Sequence, residues 1–240
     1  MRLPLPQFNH RDRDPLHIAE AIECSTAEYV AQCLEPEELN YSPIPAFGSW
    51  VRSHDEESDN GIYGVVYHVT TSPIDSVHRA RALGMSLQEL REEQPQIFSM
   101  LRPEFRVAIV GFVDPRSPAL APAATNGRPK GNGTGNGNGK SAIVGRIYQH
   151  LPPRPPQIHQ SVYACTAEET IAFTEELDFL RTLLQLSGMP TDALIAATLR
   201  EIYRLRSGDR PWLVRAGRAL SVLLKDDYDR LRAILGQVHL

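Results

Sequence analysis

The sequence predicts an α+β protein: a small β-barrel domain with a helical insertion, followed by a C-terminal helical bundle. Three patterns favour this fold class. Residues 15–165 contain short β-branched and aromatic segments separated by turn residues, which is typical of strands. Within them, the segment 86–101 has its apolar residues near helical spacing instead. From Thr166 onwards, apolar residues recur three or four positions apart, as in helices that share a core.

The predicted strands lie in the first two thirds of the chain, at residues 18–24, 28–34, 47–51, 61–69, 105–113, 141–148 and 161–163. Between two of them lies the segment 115–140, which is rich in Pro, Ala, Gly and Asn. Ordering this segment would cost backbone entropy without compensating burial, so we predict a disordered loop within one domain. The expected boundaries are an N-terminal extension at 1–14, the barrel at 15–165 and the helical domain at 166–240.

Two capping boxes predict where helices begin, Ser86 with Glu89 and Thr166 with Glu169. Pro95 is expected to divide the first helical segment into two short pieces. The apolar stripe Phe173, Leu177, Leu180 and Leu184 predicts a single helix that ends at residues 187–190. A further helix is expected after a cap at Thr191 and Asp192, and one or two more over 212–238, which gives three or four short helices in all.

Composition limits the function classes. The chain has 240 residues and a formal net charge of −4, so nucleic acid binding would require a local basic patch. Its three cysteines are odd in number and lack zinc-site spacing, which favours free thiols in a reducing compartment, with the cytoplasm as the default. The first residues form no apolar run of signal-peptide length, and no segment approaches the roughly 18 apolar residues that span a bilayer.

No motif indicates catalysis or a cofactor. Gly139, Lys140 and Ser141 end like a phosphate-binding loop, but Thr134 stands where that loop needs glycine and a strand is predicted where it needs a helix. The eight histidines are scattered without metal-site spacing. We therefore predict no catalytic, cofactor-binding or metal-binding residues, although a site assembled from dispersed residues stays open.

Two features are candidate partner-binding sites. Six arginines crowd the second and third tail helices, against Glu201 and Asp209 alone: Arg200, Arg204, Arg206, Arg210, Arg215 and Arg218. Such a patch is either a solvated, ion-paired helix face or a surface for an anionic partner. The second feature is a proline run, Pro152, Pro153, Pro155 and Pro156. It is either a stiff connection between barrel strands or a ligand for an aromatic groove.

The order of the segments carries a family resemblance. An opening strand at 17–22 leads through residues 25–28 into a second strand, and Phe47-Gly48-Ser49-Trp50-Val51 follows. A central strand at 62–66, a helical insertion before Phe105, the proline-rich strut and a closing strand at 161–163 complete the series. In this order the segments resemble the HAS-barrel, the small β-barrel shared by HerA-type DNA translocases and the catalytic subunits of rotary ATP synthases. The whole chain is also similar to a family of uncharacterised cyanobacterial HAS-barrel proteins.

The resemblance implies docking. In the larger relatives, this barrel assembles the ring and docks accessory proteins, while a following ATPase domain performs the chemistry. Here about 75 helical residues follow instead, so motor activity is not implied. We expect a non-enzymatic docking or assembly protein with a protein partner, and leave homo-oligomer formation open. The alternative is a nucleic-acid-associated accessory factor, in a HerA-like DNA-processing context, that binds nucleic acid weakly through the arginine patch.

Overall fold

The computed structural model describes residues 14–34, 44–73, 82–94, 96–118 and 143–238, and the structural statements below concern these residues. The predicted N-terminal extension lies outside them except for Asp14. The predicted disordered loop lies outside them beyond residue 118, as does the Gly139-Lys140-Ser141 segment.

Six antiparallel strands close into a barrel. The strands of the structure are β1 (His17–Cys24), β2 (Glu28–Cys33), β3 (Trp50–Asp55), β4 (Asn60–Pro73), β5 (Leu101–Asp114), β6 (Arg146–Tyr148) and β7 (Ser161–Ala164). They follow the order β2-β1-β7-β3-β4-β5, and β2 pairs with β5 to close the circle. The short β6 pairs with the last residues of β5. Closure removes the exposed strand edges that would otherwise favour aggregation.

The barrel interior is filled by alternate side chains of the strands, which are small or branched except for Tyr29 and Phe105. Val51, Ile62, Val107, Ile109 and Val162 are at most 1% exposed and belong to one cluster. Val162 reaches this interior from β7, which pairs with both β1 and β3 as the predicted closing strand. Alternation places the neighbouring residues of β3, β4 and β5 on the outer surface, where the helices pack.

Seven helices complete the described structure. They are α1 (Leu87–Glu93), α2 (Gln96–Ser99), α3 (Ala167–Phe173), α4 (Phe179–Leu184), α5 (Thr191–Leu205), α6 (Arg210–Leu223) and α7 (Tyr228–Gln237). The first two form the predicted helical insertion, divided on either side of residue 95, and both predicted capping boxes are present. The predicted fold class, an α+β barrel with a helical C-terminal region, is therefore confirmed.

The C-terminal helices pack against the outer face of β3, β4 and β5. Trp50 has its ring centroid 5.5 Å from those of Phe173 and Phe179, and Tyr63 stacks on Phe173 at 4.7 Å. One continuous cluster joins these barrel residues to the buried side chains of α3 to α7, including Trp212. The barrel and the helices thus share a core, and the predicted boundary between residues 165 and 166 lies between β7 and α3.

Two predicted strands begin later in the structure. The segment 47–51 is a strand only from Trp50, because Phe47 and Gly48 form a turn in which Gly48 has a φ of +87°. The segment 141–148 is a strand only over β6. Before it, Ile143 is buried in the helix-facing core and Gly145 bends the chain at a φ of +123°.

The tail departs from prediction in the number of its helices and in one cap. Five helices follow residue 166 in the described chain, and the single helix expected through Leu184 is two, α3 and α4. The break exists because the Gln149 side chain holds its ends apart: Nε2 donates to the carbonyls of Phe173 and Glu176 at 2.6 and 3.0 Å, and Oε1 accepts from the Phe179 amide at 2.8 Å. The expected cap at Thr191 is also wrong, because Thr191 is the first helical residue and Pro190 occupies the cap position.

Candidate protein-docking surface

Helix α6 has a fixed orientation because one of its faces is anchored in the core. The Asp209 carboxylate caps its first turn by accepting a hydrogen bond from the Trp212 amide at 3.1 Å. Trp212, Ala216 and Leu220 follow at four-residue spacing and are fully buried. The Trp212 indole also donates to the Thr174 carbonyl at 2.9 Å. This face therefore cannot rotate outwards without breaking the core.

The opposite face of α6 carries a stripe of four exposed residues, which we call the α6 stripe: Arg210, Val214, Arg218 and Val222. They also lie four positions apart, so they follow one side of the helix. Val214 is 52% exposed and Val222 is 71% exposed, although valine favours neither helices nor water. Within the described residues, Arg210 and Arg218 have no ion-pair partner. The stripe thus alternates unpaired guanidinium groups with unburied apolar side chains.

Two other arginines of the predicted patch form ion pairs within the chain, both with Glu175. Arg206 has a side chain only 7% exposed and approaches the Glu175 carboxylate at 3.1 Å. It also donates to the Ile171 carbonyl at 2.8 Å, and its guanidinium lies 4.9 Å from the Trp212 ring centroid. Arg215 approaches the same carboxylate at 2.6 Å. Partial burial opposes ionisation of Glu175, but hydrogen bonds from Arg215 and Arg206 hold the pKa of this carboxyl below its ordinary value.

The remaining two arginines of the patch have partners close by. Arg204 pairs with Glu201, one turn earlier on α5, at 2.6 Å. Arg200 donates to the Gln237 carbonyl at the end of α7, also at 2.6 Å. The structure therefore divides the six predicted residues: four make contacts within the chain, and Arg210 and Arg218 alone keep their full hydrogen-bonding capacity for a partner.

The proline run connects β6 to β7 along the surface of the barrel. Pro152 and Pro156 are buried, Pro155 is half-buried and Pro153 is exposed. Between them, Arg154 forms an ion pair with Glu57 after β3. A proline ligand for an aromatic groove presents its rings to the partner. Here two of the four rings face the protein, so the part accessible to a partner is Pro153 with Arg154.

A cavity of about 280 Å³ lies between the barrel and helices α3 and α5, lined by Trp50, Cys165, Glu201 and Arg204 among others. Burial raises the pKa of the Cys165 thiol well above its ordinary value, with the nearby Glu169 carboxylate adding to the shift. Burial likewise raises the pKa of the neighbouring Tyr63. Because a nucleophilic cysteine acts as a thiolate, these environments disfavour acid–base or thiolate chemistry near neutral pH.

The structure adds few candidates for other chemistry. Among the described residues, no group of three or more His, Cys, Asp or Glu side chains is placed to hold a metal ion. No helix in the same part of the chain is long and apolar enough to cross a membrane. The predicted absence of an enzyme activity stays a prediction.

Sequence reasoning missed the valines of the stripe and the carboxylate that pairs with two arginines of the patch. Val214 and Val222 could have been found, because their four-residue spacing with Arg210 and Arg218 is visible in the sequence. The role of Glu175 could not have been found, because Glu175 lies in the break between α3 and α4. The Gln149 contacts across that break are not visible in the sequence. Neither a scan against protein-family models nor a search of curated proteins finds a match to this chain.

Proposed function

We propose that this chain is a non-enzymatic docking or assembly protein that binds a protein partner through the α6 stripe. The observation that carries the proposal is the alternation of unpaired arginines and exposed valines on a helix whose opposite face is locked in the core. Arginine is enriched in protein interfaces, and the buried centre of an interface is more apolar than the rest of the surface. Covering Val214 and Val222 would contribute on the order of 1 kcal/mol each.

An acidic protein surface fits the stripe better than a nucleic acid does. Affinity for a polyanion grows with the number of phosphates that free cations neutralise, and four of the six arginines are already engaged. The two free ones are separated by Val214, and neither this valine nor Val222 offers a hydrogen bond or a charge to a phosphate backbone. A protein partner with carboxylates around an apolar centre would use both residue types of the stripe.

We also propose that the barrel is of the HAS type and that the protein works in the cytoplasm. In support, six antiparallel strands close the barrel, a helical insertion lies between β4 and β5, and the last barrel strand follows a proline-rich connection. The three cysteines are free, as expected in a reducing compartment. In such a protein the barrel and helices act as a rigid frame that holds α6 in place.

The test compares the cellular proteins that co-purify with wild type and with a variant of the α6 stripe. Three tagged proteins are purified with and without nuclease: wild type, Val214→Ser with Val222→Ser, and a control, Val144→Ser with Ile158→Ser, at similarly exposed positions. We expect partner proteins, including untagged copies of the chain, to survive nuclease with wild type and control and to be lost with the stripe variant. Equal retention by all three would contradict the proposal.

Loss of the retained proteins on nuclease treatment would favour the nucleic-acid alternative instead. Fluorescence anisotropy with short labelled DNA and RNA across a salt series measures that alternative directly. We expect binding no tighter than the roughly 10⁻⁴–10⁻⁶ M of non-specific association at physiological salt. Submicromolar binding that Arg210→Gln with Arg218→Gln abolishes would replace the docking proposal.

A further inference from the structure

Resting on the proposed function, we infer that the partner of the α6 stripe is a second copy of this chain, which receives the stripe on the outer face of its β1–β2 hairpin. The contact is heterologous: a helix of one copy meets a barrel surface of the next. Four features carry the inference, namely the charge distribution along the chain, the acidic hairpin, the groove beside it and the positions of the two surfaces.

The charges of the chain are strongly segregated. Residues 200–223 contain six arginines against Glu201 and Asp209, a net charge of +4. Because the whole chain carries −4, the remaining residues carry −8. A second copy of the chain is therefore an acidic partner for the region that contains the stripe. Complementary charge of this kind steers association and disfavours wrong partners.

The β1–β2 hairpin is the acidic counterpart of the stripe. Residues 14–34 contain four carboxylates, Asp14, Glu20, Glu23 and Glu28, and neither lysine nor arginine. Glu23 is exposed, and the Glu20 side chain is 44% exposed with only a distant contact, 3.7 Å, to His159. The helix-facing core draws its barrel residues from β3, β4 and β5 rather than from these two strands. Among the described residues, this core therefore does not cover the outer face of the hairpin.

A shallow groove of about 170 Å³ lies beside this hairpin, with apolar side chains between carboxylates. Ile22 and Val30 contribute the apolar part, and Glu23 and Glu104 the carboxylates, while Phe105 lies beneath them with its side chain buried in the barrel interior. His68, Thr70 and Arg106 also line it. This arrangement mirrors the stripe: the groove offers apolar contacts to the valines and carboxylates to the arginines, as in helix-in-groove recognition.

The two arginines at the groove, Arg102 and Arg106, interact with neighbouring residues of the same chain. Arg106 interacts with Tyr67, which also donates a hydrogen bond to Glu28. Arg102 lies 3.6 Å from Glu104. Glu23 in the groove and Glu20 beside it form no ion pair with arginine or lysine among the described residues, and Arg106 acts on Glu23 only as a nearby charge. They are the residues on which the contact depends most.

The two surfaces of one chain cannot meet each other. Trp212 ties the inner face of α6 to the core on β3–β5, so the stripe points away from the barrel. The groove lies on the β1–β2 side of the same barrel, and a tertiary contact between them would require α6 to leave the core. The contact must therefore form between copies. Heterologous contacts leave one free surface at each end, so they extend into rings or filaments.

The experiment uses full-length chains with reversed charges and measures mass by sedimentation velocity over a range of concentrations and salt. The stripe variant is Arg210→Glu with Arg218→Glu, and the hairpin variant is Glu20→Arg with Glu23→Arg. The control, Arg116→Glu with Arg181→Glu, reverses two exposed arginines outside both surfaces. Thermal unfolding checks that each variant is folded.

We expect wild type and control to assemble beyond the monomer as concentration rises and to dissociate in high salt. Each reversed variant alone should stay monomeric, because like charges then face each other. An equimolar mixture of the two should assemble again, because each variant's helix then faces a hairpin of opposite charge. Recovery in the mixture cannot arise from misfolding of either variant, so it supports this pairing of surfaces specifically.

Three results would overturn the inference. They are a wild-type chain that stays monomeric throughout, a hairpin variant that assembles like wild type, and a mixture that does not recover. The first of these, together with nuclease-resistant retention of a different protein that depends on Val214 and Val222, would leave the proposed function standing. Retention of partner proteins that is unchanged in Val214→Ser with Val222→Ser would contradict the proposed function itself.

Discussion

Replacing Gly48 with alanine tests whether the barrel and the helices unfold as one unit. Gly48 has a φ of +87°, and a Cβ built there would lie 2.8 Å from the Ala197 Cβ and 3.0 Å from the Ala197 carbonyl carbon on α5. Its amide donates to the Val66 carbonyl at 2.8 Å, so the turn is tied to β4 as well. The extra methyl group must therefore push α5 away from the barrel.

Gly188 provides a matched control. It has a φ of +78°, but a Cβ there would meet nothing within 4 Å. Both substitutions carry the backbone strain of a positive φ, about 1 kcal/mol. Gly48→Ala adds an overpacking cost of about 1–3 kcal/mol that Gly188→Ala lacks. We therefore expect Gly48→Ala to lower the free energy of unfolding by about 2–4 kcal/mol, and Gly188→Ala by about 1 kcal/mol.

Urea denaturation followed by far-ultraviolet circular dichroism and by tryptophan fluorescence gives both free energies. If the barrel and helices share a core, the two probes should report one transition, which Gly48→Ala moves to lower urea. Equal costs for the two variants would refute the packing of Gly48 against α5. Two separate unfolding transitions, of which Gly48→Ala moves only one, would refute the shared core.

Three further predictions concern the helical region. Gln149→Ala should lower the free energy of unfolding by about 2 kcal/mol, because three hydrogen bonds across the α3–α4 break are lost. Urea denaturation measures this loss, with Gln157→Ala at an exposed position as the control. Equal free energies for the two variants would contradict the role of Gln149 at the break. Glu175 stabilises the fold above the ordinary glutamate pKa, and this contribution disappears as pH falls through its lowered folded-state pKa. Glu175→Gln should therefore lose less stability on acidification than wild type, as measured by thermal unfolding across a pH series. An equal dependence of melting temperature on pH in the two proteins would contradict the pairing of Glu175 with Arg206 and Arg215. Val214→Ser with Val222→Ser should leave the melting temperature nearly unchanged, because both side chains are exposed, and a large drop would show that they are packed.

The sequence predicts those parts of the fold that depend on neighbouring residues. Alternating apolar residues predict the strands because a half-buried strand needs one apolar face, and β1, β2, β4 and β5 lie where the pattern places them. The capping boxes at Ser86 and Thr166 are equally local, and both are confirmed. Local pattern is therefore sufficient for the fold class and for most element positions.

The predictions are wrong where residues far apart in the sequence determine the local structure. The α3–α4 break depends on Gln149, which is 24 and 30 residues from the backbone groups it holds at Phe173 and Phe179. The arginine patch looks uniform in the sequence, but Glu175 pairs with two of its members from that same break. The candidate site that results is therefore narrower than the predicted patch, and it includes valines that charge patterning alone does not reveal.

The central claim is that the α6 stripe contacts another protein in the cell. A photo-crosslinking amino acid placed at Val214 reports directly on what touches that position, and the same probe at Val144, which is 79% exposed, is the matched control. After irradiation of living cells, we expect a protein adduct from position 214 and none from position 144, with peptides from residues 14–34 of a second copy in the adduct. Adducts with nucleic acid, or equal adducts from both positions, would contradict the account.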